Sequence, residues 1–193
     1  GTDMAIGLYD LAARIADMDN LPPHLSSRIE GQSRFEDQKA TMPQGAIVCE
    51  IEIDPATGFV RIDRVTSAVD VGREVNPALV AAQMHGGLAQ GLAQVFHESC
   101  IYDDESGQLI TGSWMDYNVP LADDFPVFDH VSICHPSTHN HMGFKGVGEL
   151  GTIGAPAAAL NAVADVVGTS SRVFLPWTSE KIWQACQKDN PKG

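Results

Sequence analysis

The sequence has little positive charge, no long hydrophobic run and no paired cysteine motif, and each absence excludes a class of protein. Its 193 residues include 12 Lys and Arg against 25 Asp and Glu, which gives a formal net charge of -13 at pH 7. A polyanion would be repelled before any local contact formed, so we expect no nucleic-acid partner and no anionic membrane partner. No apolar stretch approaches the roughly 20 residues that cross a bilayer.

The cysteines and the N-terminus carry few signals. Cys49, Cys100, Cys134 and Cys186 lie far apart and form no CxxC pair, which favours buried free thiols over a zinc or redox site. The first residues lack the basic, apolar and small-residue succession of a signal peptide, so we expect a cytoplasmic protein. The chain begins at Gly1 rather than at methionine, which suggests a processed or trimmed chain, or a piece of a longer one.

The composition, with 44% hydrophobic and 19% charged residues, is that of a chain with one sizeable core. We therefore predict a single domain over residues 1–193. Apolar residues with helical spacing predict an amphipathic helix over residues 5–18. Residues 19–45 have no periodicity and collect Pro and Gly, which predicts an extended connecting segment.

Strand signals follow this segment. Apolar and acidic residues alternate over 46–54, and a turn at 54–58 leads to a returning strand over 59–71, so this stretch predicts a β-hairpin. Residues 102–114 resemble a second hairpin, and a further strand is predicted at about 128–134.

Three later helices complete the predicted elements. The first begins at Pro77 and runs to about residue 98, with Gly86, Gly87 and Gly91 as signs that another backbone or a cofactor comes close. A small-residue helix should have Pro156 in its first turn and end near Gly168, and a last helix, capped by Thr178, should run from Ser179 to about Gln187 with Ile182 and Trp183 packed inward. The predicted fold class is α+β, with hairpins of an antiparallel or mixed sheet packed with helices.

The candidate functional feature is a glycine-rich stretch around one acidic residue. Four glycines lie between Gly146 and Gly154, and they surround Glu149. Residues 146–151 match G-x-G-x-x-G, but a dinucleotide site needs an apolar strand immediately before the motif, and residues 135–144 are polar. We therefore disfavour dinucleotide binding. Residues 146–149 are called the glycine turn below.

Two other candidate groups have ordinary structural explanations. His135, His139 and His141 could bind a metal, but they lie in a polar loop without regular spacing and without an adjacent Cys or acidic ligand, so we favour a polar loop. Gln83 and Gln90 lie on nearly the same helix face, where amides satisfied at a helix interface are more common than ligand contacts.

Several specific stretches follow one another along the chain. The most specific is Lys-Gly-Val-Gly-Glu at residues 145–149, followed by Gly-Thr-Ile-Gly-Ala-Pro at 151–156. The others are Glu-Ile-Asp-Pro-Ala-Thr-Gly at 52–58, Asp-Val-Gly-Arg-Glu-Val-Asn-Pro at 70–77, Gln-Met-His-Gly-Gly at 83–87 with Gln-Gly-Leu at 90–92, Met-Asp-Tyr at 115–117 with Pro120, and Asn-Ala-Val-Ala-Asp at 161–165. In the same order, these stretches resemble the C-terminal part of the molybdopterin-binding large subunits of the xanthine dehydrogenase and aerobic carbon monoxide dehydrogenase family. The resemblance covers essentially the whole chain.

The resemblance implies an enzyme that oxidises a substrate carbon with oxygen derived from water at a molybdenum–pterin centre. Glu149 would be the general base beside the molybdenum. Gln83 would lie near the apical oxo group of the metal, and Gly146, Val147 and Gly148 would line the cofactor. No residue of this chain would ligate the metal directly, since the pterin dithiolene holds it. Gln90 stays undecided.

The resemblance also implies partners. The expected cofactor is molybdopterin with Mo, in its cytosine dinucleotide form, and iron–sulfur clusters and FAD are expected on partner subunits or domains. Family large subunits are several times longer, so this chain would be a C-terminal subdomain that binds the remainder of the large subunit, within an oligomer that acts on a small-molecule substrate. The competing hypothesis is a structural or binding module in which the glycine turn has no catalytic role.

Overall fold

The computed structural model describes residues 3–19, 21–26, 28–36, 39–168 and 174–188. Two compact units divide the chain, one within residues 1–38 and one within residues 39–193. In the first unit, α1 spans Leu8–Ala16, shorter than the predicted 5–18, and none of its residues is buried. No helix or strand lies between Ala16 and Gln44 among the described residues, and residues 20, 27, 37 and 38 lie outside them. The single domain over 1–193, with 19–45 as its connecting segment, stays a prediction.

The second unit is built on a three-stranded mixed sheet in the order β1-β2-β3. The first two strands, β1 (Gln44–Ile53) and β2 (Val60–Asp70), pair antiparallel, which confirms the first hairpin. The third, β3 (Phe128–Ser132), pairs parallel to β2. The second hairpin is shorter than predicted, because residues 102–114 form no strand and pair only through an isolated antiparallel bridge between Tyr102 and Leu109.

Three helices belong to the same unit: α2 (Pro77–Phe96), α3 (Leu150–Val167) and α4 (Ser179–Lys188). Asn76 caps α2, since its side-chain oxygen accepts a hydrogen bond from Leu79 N at 3.2 Å. At the other end of the chain, Thr178 Oγ1 accepts from Lys181 N at 3.4 Å, which confirms the predicted cap of α4. Ile182 is fully buried as predicted, but Trp183 is 42% exposed, so its inward packing is wrong.

Helix α3 begins one turn earlier than predicted, so Pro156 lies inside it rather than in its first turn. Glycines misled the prediction, because Gly151 and Gly154 weaken a helix taken by itself. In the fold these glycines are where α3 touches its neighbours: a Cβ at Gly151 would lie 2.8 Å from Met84 O of α2, and one at Gly154 would lie 2.5 Å from Ile47 Cδ1 of β1. Tertiary contact therefore outweighs local propensity at this N-terminus.

Two clusters of buried side chains hold the sheet and helices together. The larger one joins the sheet to α2, α3 and α4, through residues that include Val65, Leu88, Ala159, Val163 and Ile182. The smaller one contains Val69, Val71, Val80 and Met84, with Val147 and Leu150 packed against it. Since Val147 belongs to the glycine turn, the smaller cluster packs against that turn.

Within the described part of the chain, α3 is the one helix with the length and hydropathy of a possible membrane span. Its Ala155, Ala159 and Val163 are fully buried, and it packs against both α2 and β1. This buried face accounts for part of its apolar composition, whereas Ile153 and Val166 of the same helix are exposed. Of the cysteines, only Cys49 is buried, whereas Cys100 and Cys134 are exposed, so the prediction of buried thiols is wrong for those two.

Candidate functional site

The glycine turn lies where the end of β2, the first half of α2 and the N-terminus of α3 meet. Lys145, which precedes it, donates its N–H to Val71 O at 2.8 Å. Val147 packs into the smaller cluster, and Glu149 is the N-cap residue of α3. The turn therefore joins the sheet edge to a helix, with its own glycines left exposed.

Glu149 presents a free carboxylate at this position. Its side chain is exposed, and it makes no capping hydrogen bond to the backbone of α3. An N-cap acid commonly accepts from the N–H groups of the first turn. Because Glu149 makes no such hydrogen bond, its carboxylate oxygen atoms are available to a ligand.

The backbone of the turn also offers hydrogen-bond donors. In the part of the chain that the structure describes, the N–H groups from Gly146 to Glu149 have no acceptor. No heavy atom lies within 4 Å of the position that a Cβ of Gly146 would occupy. Successive free N–H groups at a helix N-terminus favour anionic or oxo groups, because the helix dipole adds to the N–H dipoles. This face of the turn is open and suited to such a ligand.

Gln83 and Gly148 come together at the turn. A Cβ at Gly148 would lie 3.8 Å from Gln83 Oε1, so the exposed amide of α2 lies beside the turn. Gln90, two helical turns further on, has its Oε1 3.3 Å from Thr152 Oγ1. The two glutamines, which helix spacing alone did not distinguish, therefore have different surroundings: Gln83 faces the glycine turn and Gln90 faces α3.

The glycines of α2 make room for a backbone. A Cβ at Gly87 would lie 3.0 Å from Thr152 N, and one at Gly91 would lie 2.9 Å from Ala155 Cβ. Of the two explanations for these glycines, close approach of another helix is the one that the packing supports. Gly86 differs from them, since it is exposed and its Cβ would meet no atom within 4 Å.

Sequence reasoning had not singled out Asp70, whose carboxylate binds three groups next to the glycine turn. We call the site formed by Asp70, Gly72, His135 and Lys145 the Asp70 junction. Asp70 Oδ2 accepts from Lys145 Nζ at 2.6 Å, and its Oδ1 accepts from Gly72 N at 2.9 Å and His135 N at 3.1 Å. The hydrogen bond from Lys145 is the largest of the effects that hold the pKa of the Asp70 carboxyl well below its usual range. The ion pair is shielded, with side-chain exposures of 13% for Asp70 and 12% for Lys145.

Asn140 is a second residue that the sequence analysis missed. It is buried, its Oδ1 accepts from Gly143 N at 2.6 Å, and its Nδ2 donates to Phe144 O at 3.0 Å. Gly143 has a φ of 73°, which favours glycine, and its carbonyl accepts from Arg73 N at 2.9 Å. This network of hydrogen bonds fixes the loop that precedes Lys145. The one signal for this turn in the sequence was an asparagine in a loop, three residues before Gly143.

The three histidines of this loop lie in a polar environment. His135 Nδ1 is 3.4 Å from Asp70 Oδ2, and His139 Nδ1 is 3.0 Å from Ala40 O. Among the described residues, no three His, Cys, Asp or Glu side chains are arranged to hold a metal ion. The G-x-G-x-x-G match also lacks its strand, since residues 133–149 contain no strand and only an isolated bridge at Phe144.

The donor set fits a cofactor that carries its own metal ligands. Free N–H groups and the Gln83 amide can donate to oxo and phosphate oxygens, and an exposed carboxylate can accept from pterin N–H groups. Neither thiolates nor imidazoles converge with them among the described residues. The residues that could hold such a cofactor are Gln83, Gly146, Val147 and Gly148, and Glu149 directly follows Gly148 in the chain.

Comparisons with known proteins agree with this fit. The family model described as molybdopterin cofactor-binding domain matches residues 12–126, a range that includes Gln83 and ends before Glu149. The nicotine 6-hydroxylase large subunit of Paenarthrobacter nicotinovorans is 35% identical over 183 residues, which are 93% of this chain and 22% of that protein. The carbon monoxide dehydrogenase large chain of Afipia carboxidovorans is 30% identical over 171 residues, or 88% of this chain and 21% of that protein.

A solved structure gives the same result. The crystal structure of the Cu,Mo-CO dehydrogenase in its carbon monoxide reduced state superposes with a TM-score of 0.81 and 29% identity, and the match covers 90% of this chain and 22% of the other. The predicted α+β fold is thereby confirmed. The chain spans less than a quarter of the length of each of these relatives. Because the family model matches more than half of the chain, the chain belongs to the molybdopterin cofactor-binding domain family, and it matches one segment of each of the large subunits named above.

Proposed function

We propose that this chain contributes the catalytic acid–base residue, Glu149, to a molybdenum hydroxylase that oxidises a carbon of a small-molecule substrate with oxygen derived from water. The observation that carries the proposal is the position of Glu149. Its carboxylate is exposed and is not used as a helix cap. Glu149 directly follows Gly148, the residue whose Cβ position lies 3.8 Å from Gln83 Oε1.

The bound cofactor would supply the oxidising metal centre and the water-derived oxygen. Glu149 would accept a proton, at a carboxylate oxygen, from the water-derived nucleophile as that nucleophile bonds to the substrate carbon. The C–H bond of that carbon would break, with its two electrons passing to the cofactor and its proton to solvent. General-base catalysis of this kind typically contributes about 10²–10⁴-fold in rate. The N–H groups from Gly146 to Gly148 would hold and orient the cofactor by hydrogen bonds, and Gln83 would donate to it from its amide.

The remaining features of the enzyme are part of the same proposal. The cofactor would be the cytosine dinucleotide form of molybdopterin, and iron–sulfur and FAD groups on partner subunits would carry the electrons away. The relatives are named a large subunit and a large chain, which supports an assembly of several subunits. The rest of the large subunit would complete the site within a cytoplasmic oligomer.

The test is cofactor analysis of the complete large subunit that contains this chain, purified with its partner subunits. We expect about one molybdenum per large subunit by elemental mass spectrometry, a pterin product by fluorescence after oxidation, and substrate-dependent reduction of a dye. Nicotine, carbon monoxide, aldehydes and purines form the first substrate panel. A protein with neither molybdenum nor pterin would instead be a structural or binding module, and the proposal would be wrong.

A further inference from the structure

One carboxylate, that of Asp70, holds the Asp70 junction together by hydrogen bonds. Asp70, the last residue of β2, accepts hydrogen bonds from the backbone of Gly72 and of His135 and from the side chain of Lys145. The three donors lie at residues 72, 135 and 145, so two distant parts of the chain are bound to the end of β2. Gly72 has a φ of 66° and lies so close to Gly143 that an added Cβ would be 2.2 Å from its carbonyl oxygen. Gly72 therefore has no room for a side chain.

Lys145 is held at this junction by both its backbone and its side chain. Its N–H donates to Val71 O and its ammonium group to Asp70, so the residue is fixed against the end of β2. The next residue, Gly146, has no neighbours within 4 Å of a would-be Cβ. Between Lys145 and the first residue of α3, Val147 alone packs into a core cluster. The path of the turn therefore depends on where Lys145 is anchored.

We propose that Asp70 and Lys145 are positioning residues, which fix the start of the glycine turn and thereby hold Glu149 and the free N–H groups in place for the cofactor. This inference rests on the proposed function of Glu149. Glycines gain no fixed geometry from side-chain packing, so a turn that contains two of them needs an external anchor. A displacement of about 1 Å at a catalytic group can cost about 10²-fold in rate.

The ion pair suits this role better than a role in net stability. Two charges that are mostly removed from water pay a desolvation penalty that offsets much of their attraction. The pair still constrains the geometry, because moving the ammonium group of Lys145 away would leave the carboxylate of Asp70 without its countercharge. The low pKa of the Asp70 carboxyl keeps it charged, and the anchor intact, throughout the neutral range.

Asp70→Asn is the sharpest test, made in the complete enzyme with its partners. The amide keeps one oxygen for the N–H groups of Gly72 and His135, and it replaces the oxygen that faces the ammonium group of Lys145. Asp63→Asn is the matched control, since Asp63 lies on the same strand in an exposed pair with Arg61 at 3.1 Å. Two quantities are measured: turnover per bound molybdenum, and the rate of tryptic cleavage after Lys145.

The cleavage rate reports directly on the anchor. Trypsin must take the lysine side chain into its own acidic pocket, and in the native fold the side chain of Lys145 is only 12% exposed and is bound to Asp70. We expect Asp70→Asn to accelerate cleavage between Lys145 and Gly146 and to lower turnover per molybdenum by about 10–100-fold, with molybdenum content retained. Asp63→Asn should change neither quantity. Unchanged turnover in Asp70→Asn, or lost turnover with Lys145 still protected, would overturn the proposal.

A second pair of variants covers the case in which Asp70→Asn does not fold. Lys145→Arg keeps the cation and should retain most of the turnover per molybdenum, whereas Lys145→Met should lose it; equal turnover in the two variants contradicts the positioning role. Glu149→Gln, measured alongside, separates this inference from the proposed function. Full turnover in Glu149→Gln overturns the proposed function, whereas loss in Glu149→Gln with full turnover in Asp70→Asn overturns only the inference drawn here.

Discussion

Replacing two glycines of α2 by alanine, one at a time, tests whether close helix packing explains them. At Gly86 an added Cβ meets no atom within 4 Å, whereas at Gly91 it would lie 2.9 Å from both Ala155 Cβ and Pro156 Cδ. Both positions lie inside the same helix, so the gain in helix propensity, about 1 kcal/mol for Gly to Ala, applies to both variants. Their difference therefore isolates the packing contribution.

The expected magnitudes follow from these distances. Carbon atoms in contact normally lie about 3.5–4.0 Å apart, so the new methyl group at Gly91 requires α2 and α3 to separate by about half an ångström or more. Such overpacking typically costs about 1–3 kcal/mol. Gly86→Ala should stabilise the chain by about 1 kcal/mol, and Gly91→Ala should be less stable than Gly86→Ala by about 1–3 kcal/mol.

Urea unfolding of the purified chain, followed by circular dichroism, gives both free energies. If Gly91→Ala were stabilised as much as Gly86→Ala, the helices would not be in the close contact described here, and the explanation of the glycines would be wrong. A comparison in the complete large subunit adds information, because a loss of stability for Gly86→Ala only there would identify Gly86 as a contact with another domain.

Two further predictions concern Asp70 and the extent of the site. Because the pKa of Asp70 is lower in the folded than in the unfolded chain, its stabilising effect is complete above the unfolded pKa of about 4 and is lost as the pH falls toward the folded value. The difference in unfolding free energy between wild type and Asp70→Asn should therefore be constant from about pH 7 to 5 and should shrink below about pH 4; a constant difference down to pH 2 would contradict the ion pair. The isolated 193-residue chain should carry no stoichiometric molybdenum by elemental mass spectrometry, since its glycine turn is open and small-molecule sites normally bury about 70–90% of their ligand; a full complement of molybdenum would show that the site lies within this chain.

The sequence predicted the elements whose local pattern agrees with their tertiary surroundings. The first hairpin alternates apolar and polar residues along a sheet with one buried face, and its pairing was confirmed. Pro77 correctly predicted the start of α2, because proline at the first helical position acts locally, and the structure adds Asn76 as the cap. The glycine turn and Glu149 were likewise recognisable from adjacent residues.

Features that depend on distant contacts were missed. The Asp70–Lys145 pair joins residues that are 75 positions apart, so no local pattern could reveal it. The start of α3 was misplaced because its glycines are explained by the approach of α2 and β1. At residues 102–114 the predicted hairpin is reduced to one antiparallel bridge around a turn in which Asp103 binds Ser106. The roles of Gln83, Val147 and Glu149 toward the cofactor stay predictions.

The measurement that tests the central claim most directly is turnover per bound molybdenum for Glu149→Gln in the complete enzyme. The amide is close in volume to the carboxylate but cannot take up a proton, so turnover should fall by about 10²–10⁴-fold or more. Since Glu149 makes no capping hydrogen bond, cofactor content should be normal and stability should change by less than about 0.5 kcal/mol. Glu105→Gln, an exposed glutamate in a remote turn, is the matched control and should keep full turnover. Unchanged turnover per molybdenum in Glu149→Gln would remove Glu149 from catalysis and contradict the account.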